Sequence, residues 1–587
     1  MINQELAKIF EEISLYLQVK DVAFKPQAYE KAALALNSLE KDVREIYKKE
    51  GRKGLEKIPG VGKSIADKIE EYLKKGKIEY YLKLKKELPV DILGLTSVEG
   101  IGPKMVKALY QKLHITNIQE LEKAAREQKI RKLPHFGEQT EKNILKGISF
   151  IRRSKGRFLL STAYYLAQDI IKKLKAQPGV DKISIAGSLR RMKETIGDLD
   201  ILITTKSSKQ AKKIMDFFVS LPGVMRIWDY GPTKSSIRIP PGIDVDLRVV
   251  KNEEFGSALQ YFTGSRAHSI ALRKLAIKKG LKLNEYGVFK KKGGKWIKLV
   301  SRTEKDVYAA MGFPYFEPEL RTNRGEIEAA LQGKLPQIIG YNDIKGDLHI
   351  HSSWDGGKDS IEKIAQAAQK MGYSYIGISD HTKLLKIEHG LDEKRLLAQD
   401  KEIKKLNLNL KRKNLKFRIL HGCEANILKD GRLDIDDSVL EQLDYVIAGI
   451  HSQMGMKKEA MTERIIKAMK NPNVRIIAHP TGRILMKRDP YLVDMDKLLR
   501  AAREFKVAME INATPERLDL NDINIKRAVE MGVKLVINTD SHNIDHLSCM
   551  KFGIGQARRG WATKDDIINS WPLRKLQQFF HKNNKIN

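Results

Sequence analysis

The stretch Gly187-Ser188-Leu189-Arg190-Arg191, followed by Gly197-Asp198-Leu199-Asp200-Ile201-Leu202-Ile203, joins a glycine-serine turn to two aspartates set among aliphatic residues. Acidic and aliphatic positions alternate from Asp198, which predicts a strand. Side chains on a strand alternate faces, so Asp198 and Asp200 project to the same side of the sheet. At about 4 Å and an effective dielectric near 20, such a pair repels by roughly 4 kcal/mol, a conflict that a divalent cation removes. A third acid, Asp246 in Ile243-Asp244-Val245-Asp246-Leu247-Arg248, precedes an aliphatic-arginine pair on another predicted strand. Three oxygen donors suit Mg²⁺, which keeps water and substrate phosphate as its remaining ligands. Two metals about 4 Å apart can activate an attacking hydroxyl and stabilise the leaving group of an in-line displacement. A bare D-x-D also occurs at solvated strand ends; the glycine-serine pair a short interval before it favours the catalytic reading.

Working outward, apolar runs rich in isoleucine and valine alternate with helical stretches from about Ser161 to Val250, the pattern of a mixed sheet. Residues Thr263 to Gly312 are basic and mixed, and Glu317 to Gly340, with scattered Gly and Pro, reads as a connection. The first 150 residues read as short amphipathic helices with similarity among three segments: Leu55–Ile69, Leu95–Tyr110 and, more weakly, Leu133–Ile144. In Pro59-Gly60-Val61-Gly62 and Glu99-Gly100-Ile101-Gly102, two glycines flank an aliphatic residue just before a helix begins. Glycine lets the hairpin close tightly, and the amides of the following helix start can cradle a phosphate. Gly60, Gly62, Gly100 and Gly102 are therefore candidate contacts to a DNA backbone, a binding mode that reads no bases.

Charge agrees with such a partner. The 587-residue chain carries a formal net charge of +35 and a pI near 9.7, which favours a polyanion over a neutral ligand. Residues 1–340 hold 65 basic against 40 acidic side chains and residues 341–587 hold 43 against 33, so the front half is the stronger polyanion binder. About four units of ordinary domain size are expected. Cys423 and Cys549 are too few and too far apart for a disulfide framework or a cysteine zinc site, and a reducing cytoplasm fits. Met1 to Lys20 lacks the layout of a secretory signal, and no run is long enough to span a bilayer.

The back half opens with Asp347-Leu348-His349-Ile350-His351-Ser352, where histidines two apart at a strand end point together. The series continues with Asp380-His381, Glu424, His451, His479 and Asp540-Ser541-His542, most of them at the ends of predicted strands such as Tyr375–Ser379, Tyr445–Ile450 and Arg475–Ala478. Strands alternating with helical patterns predict a β/α barrel. Mixed imidazole and carboxylate donors suit Zn²⁺, Mn²⁺ or Fe²⁺, and a bound metal lowers the pKa of water from 15.7 to about 7, which makes phosphoester hydrolysis feasible.

The G-S, D-x-D and Asp246 series resembles the nucleotidyltransferase core of X-family DNA polymerases over roughly residues 1–318. That resemblance implies that Asp198, Asp200 and Asp246 hold Mg²⁺ or Mn²⁺, and that Gly187, Ser188 and Arg191 grip the incoming dNTP. Tyr261-Phe262-Thr263-Gly264-Ser265 is similar to the family's Y-F-T-G-S element; Tyr261, Phe262 and Gly264 would lie beside the nascent base pair and Arg273 would face the template minor groove. Ser269 stands where many relatives have asparagine. The amino-terminal segment resembles the family's lyase domain, which implies Lys68 as Schiff-base nucleophile in a 5′-dRP lyase, with Lys25 and Tyr29 as phosphate-binding and orienting residues. The back half, from about 343 to 575, is similar to the PHP phosphoesterase family. That implies a metal cluster held by His349, His351, His381, Glu424, His451, His479, Asp540 and His542, with Asp355 as a further ligand one residue earlier than in many relatives.

The expected architecture is multidomain α and α/β. A helical lyase-like domain occupies 1–85 and a second helical DNA-binding region 86–155, followed by a palm at 156–250, a small α+β nascent-base-pair domain at 251–318, a linker at 319–340, a distorted β/α barrel at 341–575 and a tail at 576–587. The expected activity is short-gap filling on gapped or nicked DNA, as in base excision repair, by a cytoplasmic, nucleoid-associated monomer. The barrel would add 3′–5′ exonuclease, abasic-site endonuclease or 3′-phosphatase work. Two other readings are a DNA-binding scaffold with one inactive centre and a small-molecule metallo-phosphatase with a regulatory front half. Retention of all three palm acids counts against the first, and the hairpins and basic front half against the second.

Overall fold

Apolar residues recurring at helical spacing close the first 150 residues around one core. The computed structural model describes residues 2–39, 42–58, 60–98, 100–134, 136–154 and 156–581. Pro59 and Glu99, which open the two hairpin motifs, lie outside them. The chain divides into two units: Met1–Lys155 with Met486–Arg488, and Gly156–Leu485 with Asp489–Asn587. Among the described residues no helix is long and apolar enough to cross a membrane.

In the first unit, Leu6, Phe10, Ile13 and Tyr16 of helix α1 (Ile2–Val19) are buried with residues from both hairpins. The two motifs bury equivalent positions, Ile58 with Val61 and Val98 with Ile101, and lead into α2 (Lys63–Lys75) and α3 (Pro103–Leu113). Gly60 and Gly100 have φ of 80° and 83°, a conformation that excludes most side chains. Gly62 and Gly102 are the N-caps and offer no side-chain acceptor; their carbonyls take the amides of Ile65 and Met105 at 3.0 and 2.9 Å, which leaves the amides of Lys63, Ser64 and Lys104 for an outside partner. The third, weaker segment differs: its helix starts at Glu138, and Gly137 does not adopt positive φ.

The second unit begins with a five-stranded mixed sheet made of β1 (Val180–Ile185), β2 (Asp198–Thr205), β3 (Arg226–Tyr230), β4 (Lys234–Ile239) and β5 (Ile243–Val250) in the order β1-β2-β5-β4-β3. Only the β2–β5 pair is parallel. Leu199, Ile201 and Ile203 bury one face of β2, against Leu160, Ala163 and Ala167 among others. The acids lie on the opposite face, where Leu202 packs on Ala258 and Leu259. The short helix α4 (Gly187–Arg190) enters between β1 and β2, and α5 (Phe255–Thr263) and α6 (Arg266–Lys278) follow β5.

An antiparallel sheet of β6 (Leu281–Asn284), β7 (Gly287–Lys292) and β8 (Lys295–Val300) packs with α6 and α7 (Glu304–Ala310) through Leu272, Leu283, Val288, Val307 and Tyr308. The segment 319–340, expected as a linker, is instead built into this core over its first half. Leu320, Arg321, Glu326 and Ile327 are buried, and Glu326–Leu331 forms α8. Its glycine punctuates the chain without loosening it: Gly325, at φ 102°, turns the backbone so that Glu326 accepts from the amides of Asn323 and Arg324.

Seven parallel strands then follow in chain order: β9 (Gly346–Asp347), β10 (Tyr375–Ile378), β11 (Arg418–Asn426), β12 (Tyr445–Gly449), β13 (Val474–Ile477), β14 (Ala508–Asn512) and β15 (Leu535–Asn538). A parallel bridge between Ile350 and Ser541 nearly closes them into a barrel. The expected tail is part of the barrel up to His581. Leu576 and Phe580 are buried, Phe580 stacking 5.3 Å from Tyr445, and 582–587 lie outside the described residues. The palm core takes in Leu518 and Phe552 from the barrel half of the chain, Phe552 on helix α9 (Met550–Arg559).

Candidate active sites

The parallel β2–β5 register sets Asp198 beside Asp244 and Asp200 beside Asp246, so all four carboxylates rise from one face. Asp244 is spoken for: Arg238 grips both its oxygens at 2.7 and 2.8 Å and the Trp228 indole donates at 2.8 Å. Asp246 accepts from Ser236 at 2.5 Å and has Arg248 at 3.6 Å and Lys234 at 3.7 Å. Burial, then the charges of Asp198 and Asp246, push the Asp200 carboxyl up to about 7 against the pull of Arg248 and Arg191. Carboxylates crowded on one face in this way are a donor set that fits divalent metal. The palm acids are spaced more widely than the barrel's donors. Among the described residues, the groups of three or more candidate ligands whose donor atoms lie within 4.8 Å of one another all belong to the barrel.

Gly187 sits against these acids. At φ 60°, a Cβ there would fall 2.2 Å from Asp200 Oδ2, so a side chain is excluded on two grounds. Arg191 reaches across to donate to the Thr263 carbonyl, which brings the G-S turn and the Y-F-T-G-S element together. Burial, then the neighbouring Arg559 charge, lowers the Arg191 guanidinium to about 10. Tyr261 and Phe262 meet edge to face at 5.1 Å, with Arg273 5.8 Å from the Tyr261 ring and Arg248 4.5 Å from that of Phe262. Ser269 is buried, and its hydroxyl has no partner among the described residues.

The sequence reading missed what ties this turn down. Arg190 pairs with both oxygens of Glu304 at 2.9 and 2.6 Å and donates to Thr263 Oγ1 at 2.7 Å. Glu304 also takes the fully buried Arg321 at 2.6 Å. Burial raises the Glu304 carboxyl, but the two arginines outweigh it and hold the group at about 2.

In the barrel, six of the seven strands deliver these side chains to one place at their carboxyl ends. His349 and His351 follow β9, His381 follows β10, Glu424 lies in β11, His451 and His479 follow β12 and β13, and Asp540 and His542 follow β15. Glu424 is the hub: His381 Nδ1 is 2.7 Å away, His479 Nε2 3.0 Å, His451 Nε2 3.2 Å and His349 Nε2 3.4 Å. His381 Nδ1 and Glu424 Oε2 are close yet misaligned for a hydrogen bond, and both atoms are buried without a partner, as are Nε2 of His349 and of His351. Buried nitrogen and oxygen atoms that converge on one place without hydrogen-bond partners among the described residues fit a cluster of divalent cations. Burial disfavours charge on His349 and His351. Neighbouring carboxylates outweigh it, Glu510, Glu424 and Asp540 for the first, Asp355 and Asp540 for the second, and raise both well above the usual imidazole range. His542, partly buried and stacked 4.2 Å from the His351 ring, is pushed down to about 4 by desolvation and then by the His351 charge. His479 and Asp540 adopt φ of 27° and 52°, strained values for non-glycine residues that a functional site sustains.

Asp355 reaches the cluster through its neighbours. Its Oδ2 lies 2.7 Å from His351 Nδ1 and accepts from the His381 amide at 2.9 Å, and Oδ1 accepts from Gly357 at 2.9 Å. It thereby orients His351, while also falling in a candidate ligand group with His351 and Asp380. Glu510 on β14 was not singled out from sequence. Fully buried, it holds His349 Nδ1 at 2.7 Å and the His479 amide at 2.7 Å. Asn426 likewise fixes His451 through Nδ1 at 2.7 Å. The period-two spacing of Glu510 and Asn512 at a strand's end was the available signal.

In the first unit, Lys68, Lys25 and Tyr29 come together. Lys68 Nζ lies 5.9 Å from the Tyr29 ring and 5.2 Å from that of Tyr80, and donates to Ser64 Oγ at 3.1 Å. Burial lowers its pKa, and the nearby Lys25 charge adds to the effect against Asp67 and Glu71.

A nucleotidyltransferase palm with an attached thumb, preceded by helical hairpins and followed by a metal-dependent phosphoesterase barrel, is the class that fold and sites define. Family comparisons agree. A helix-hairpin-helix domain matches residues 1–78, a SAM-like helix-hairpin-helix tandem 92–149, a DNA polymerase beta palm 163–225, a DNA polymerase beta thumb 258–322 and a PHP domain 347–514. The chain is 37% identical over 586 residues to a DNA polymerase/3′-5′ exonuclease PolX of Bacillus subtilis (strain 168), covering 99% of this chain and 100% of that protein. It is 29% identical over 253 residues to a probable phosphatase of Thermoanaerobacter sp. (strain X514), covering 41% of this chain and 96% of the relative. A probable phosphatase of Clostridium acetobutylicum is 32% identical over 209 residues, 33% of this chain and 78% of the relative. The chain belongs to the PolX family.

Proposed function

We propose that this protein is a DNA polymerase that fills short gaps during repair, and that its barrel hydrolyses phosphoesters at DNA 3′ ends, as a 3′–5′ exonuclease and phosphatase. The observation that carries the polymerase reading is the β2–β5 register, which aligns Asp200 with Asp246 on the face of Asp198, beside the turn at Gly187. Divalent cations bound there, Mg²⁺ or Mn²⁺, supply the charge that activates the primer 3′-hydroxyl and offsets that of the departing pyrophosphate. Around them, Ser188 and the backbone of Gly187 take the dNTP phosphates with Arg191, Tyr261 and Phe262 crowd the sugar, and Arg273 lies on the template side. The hairpin glycines admit the DNA backbone to helix N-termini, independently of sequence. Primer extension on gapped DNA by wild type and Asp246→Ala tests the palm: extension must be lost in the variant, and equal extension by both removes the assignment.

In the barrel, His349, His351, His381, Glu424, His451, His479, Asp540 and His542 hold Mn²⁺, Zn²⁺ or Fe²⁺, with Asp355 beside them. Bound there, the metals supply a water acidified for attack on phosphorus. His349→Ala should lose both bound metal and 3′-end digestion; retention of either counts against this ligand set.

A 5′-dRP lyase reading is favoured by one observation, the half-buried Lys68 beside Lys25 and Tyr29, its pKa lowered by desolvation. A partly neutral amine is what Schiff-base formation with an abasic sugar requires. Borohydride trapping on an incised abasic substrate should yield an adduct that Lys68→Ala abolishes; an undiminished adduct excludes that residue.

A further inference from the structure

We infer that the barrel helix α9 sets the shape of the palm's triphosphate-binding turn, through Gln556 and Arg559 acting as positioning residues for nucleotide addition. The inference rests on the assignment of Ser188 and Arg191 to the incoming nucleotide. The turn closes at Arg191-Met192, and Met192 adopts a φ of 51°, left-handed for a residue with a side chain. Such a conformation persists where its surroundings over-determine it, and the surroundings are α9. Gln556 Nε2 donates to the Met192 carbonyl at 2.8 Å, and Arg559 Nη1 donates to the Arg191 carbonyl at 2.9 Å. Gly555 receives the Met192 side chain so closely that a Cβ there would stand 2.8 Å from Met192 Cε. Arg559 is itself fixed, its Nη2 lying 2.5 Å from Asp522, which Arg324 also engages at 2.5 Å.

Two successive carbonyls at the end of the turn are thus clamped by one helix of the hydrolytic barrel. The other side of the turn is clamped by Arg190 through Glu304 and Arg321. Between the two clamps, the Arg191 guanidinium is aimed at the Thr263 carbonyl, within the field of Asp200 and Asp198. Rotation of the 191–192 peptide would carry that guanidinium away from a bound phosphate, and misplacement on this scale is costly to catalysis. The palm and barrel do not depend on these two bonds to stay docked. Phe552 and Leu518 are buried in the palm core, and Arg483 pairs with Glu194 at 2.8 Å. Removing a donor from α9 therefore perturbs the turn while the packing remains.

The test measures kcat and KM for dNTP in gap filling by the full-length protein, with 3′-end hydrolysis and primer-template affinity on the same preparations. Arg559→Ala is expected to raise the dNTP KM about tenfold, the scale of one charge-assisted hydrogen bond, with the smaller change in kcat. Gln556→Met, which keeps volume and removes the donor, should raise KM by less. Arg559→Lys, which retains one donor, should restore part of the loss. Hydrolysis and primer-template affinity should stay at wild-type values. An unchanged KM in both Arg559→Ala and Gln556→Met overturns the coupling, and so does a parallel fall of all activities, which marks a general packing role. Arg191→Ala reads the underlying assignment separately. An unchanged KM there removes that assignment, whereas a raised KM there beside unchanged α9 variants overturns the coupling alone.

Discussion

Asp200→Asn should abolish nucleotide addition and at the same time stabilise the metal-free protein. The wild-type carboxyl is raised from its ordinary 3.8 to about 7, by burial first and then by the charges of Asp198 and Asp246. A shift of roughly three pH units corresponds to about 4 kcal/mol against the ionised form, and because Asp200 is only half-buried by its accessible surface, solvent screening reduces this to ~2 kcal/mol. The sign follows from linkage. A carboxyl whose folded pKa lies above its unfolded value favours the folded state fully below pH 4 and loses that contribution as pH rises through 7. Asparagine neither titrates nor repels, so the variant's advantage should be greatest at pH 8, about half that at pH 5, and absent near pH 3.5. Thermal melts in excess chelator should show Asp200→Asn about 2 °C above wild type at pH 8, the shift expected for a unit of this size. Added Mg²⁺ should raise the wild-type transition and leave the variant's nearly unmoved, because the cation relieves a conflict that the variant no longer has. Equal melting at pH 8 without metal, or a variant that melts lower, would show that the three acids do not repel one another and would refute the shared-site geometry.

Three further outcomes follow from the contacts. Glu510→Gln leaves every direct donor of the barrel in place but weakens the hold on His349 and His479; metal affinity measured by chelator competition should fall about 10- to 100-fold, and full retention would make Glu510 a bystander. Glu304→Gln strands the fully buried Arg321 and the partner Arg190, and should cost about 3 kcal/mol in denaturant melts at pH 7. Because the Glu304 carboxyl is depressed to about 2, the stability it contributes is present above its ordinary 4.5 and disappears as pH falls toward 2, so the gap between wild type and variant should close in acid. Borohydride trapping through Lys68 should rise with pH and level off below the pH at which an exposed lysine would, since burial lowers its pKa; a profile matching an exposed lysine would count against a working nucleophile.

What sequence makes legible here is whatever is local or periodic. Alternation along Asp198–Ile203 fixes which side chains share a face, and histidines two apart at 349 and 351 announce a strand end, because a strand's period of two is a property of the backbone. The pairing of Asp200 with Asp246 is a matter of register between strands with a helix and two strands between them, and spacing alone does not give it. Glu510 was hidden for a different reason. In Ala508-Met509-Glu510-Ile511-Asn512 the period-two spacing of Glu510 and Asn512 shows only that the two share a face, and closure of the barrel is what brings Glu510 under His349. Gly325 and the glycines and prolines around it suggested a linker, yet they mark the entries and exits of a short helix that buries Glu326 and Ile327; composition cannot distinguish a turn that joins packed elements from one that joins domains. Arg190 and Glu304 lie 114 residues apart, and Gln556 meets Met192 across 364. Contacts of that kind decide how the acids, the turn and the barrel act together, and they come into being only when the chain has folded.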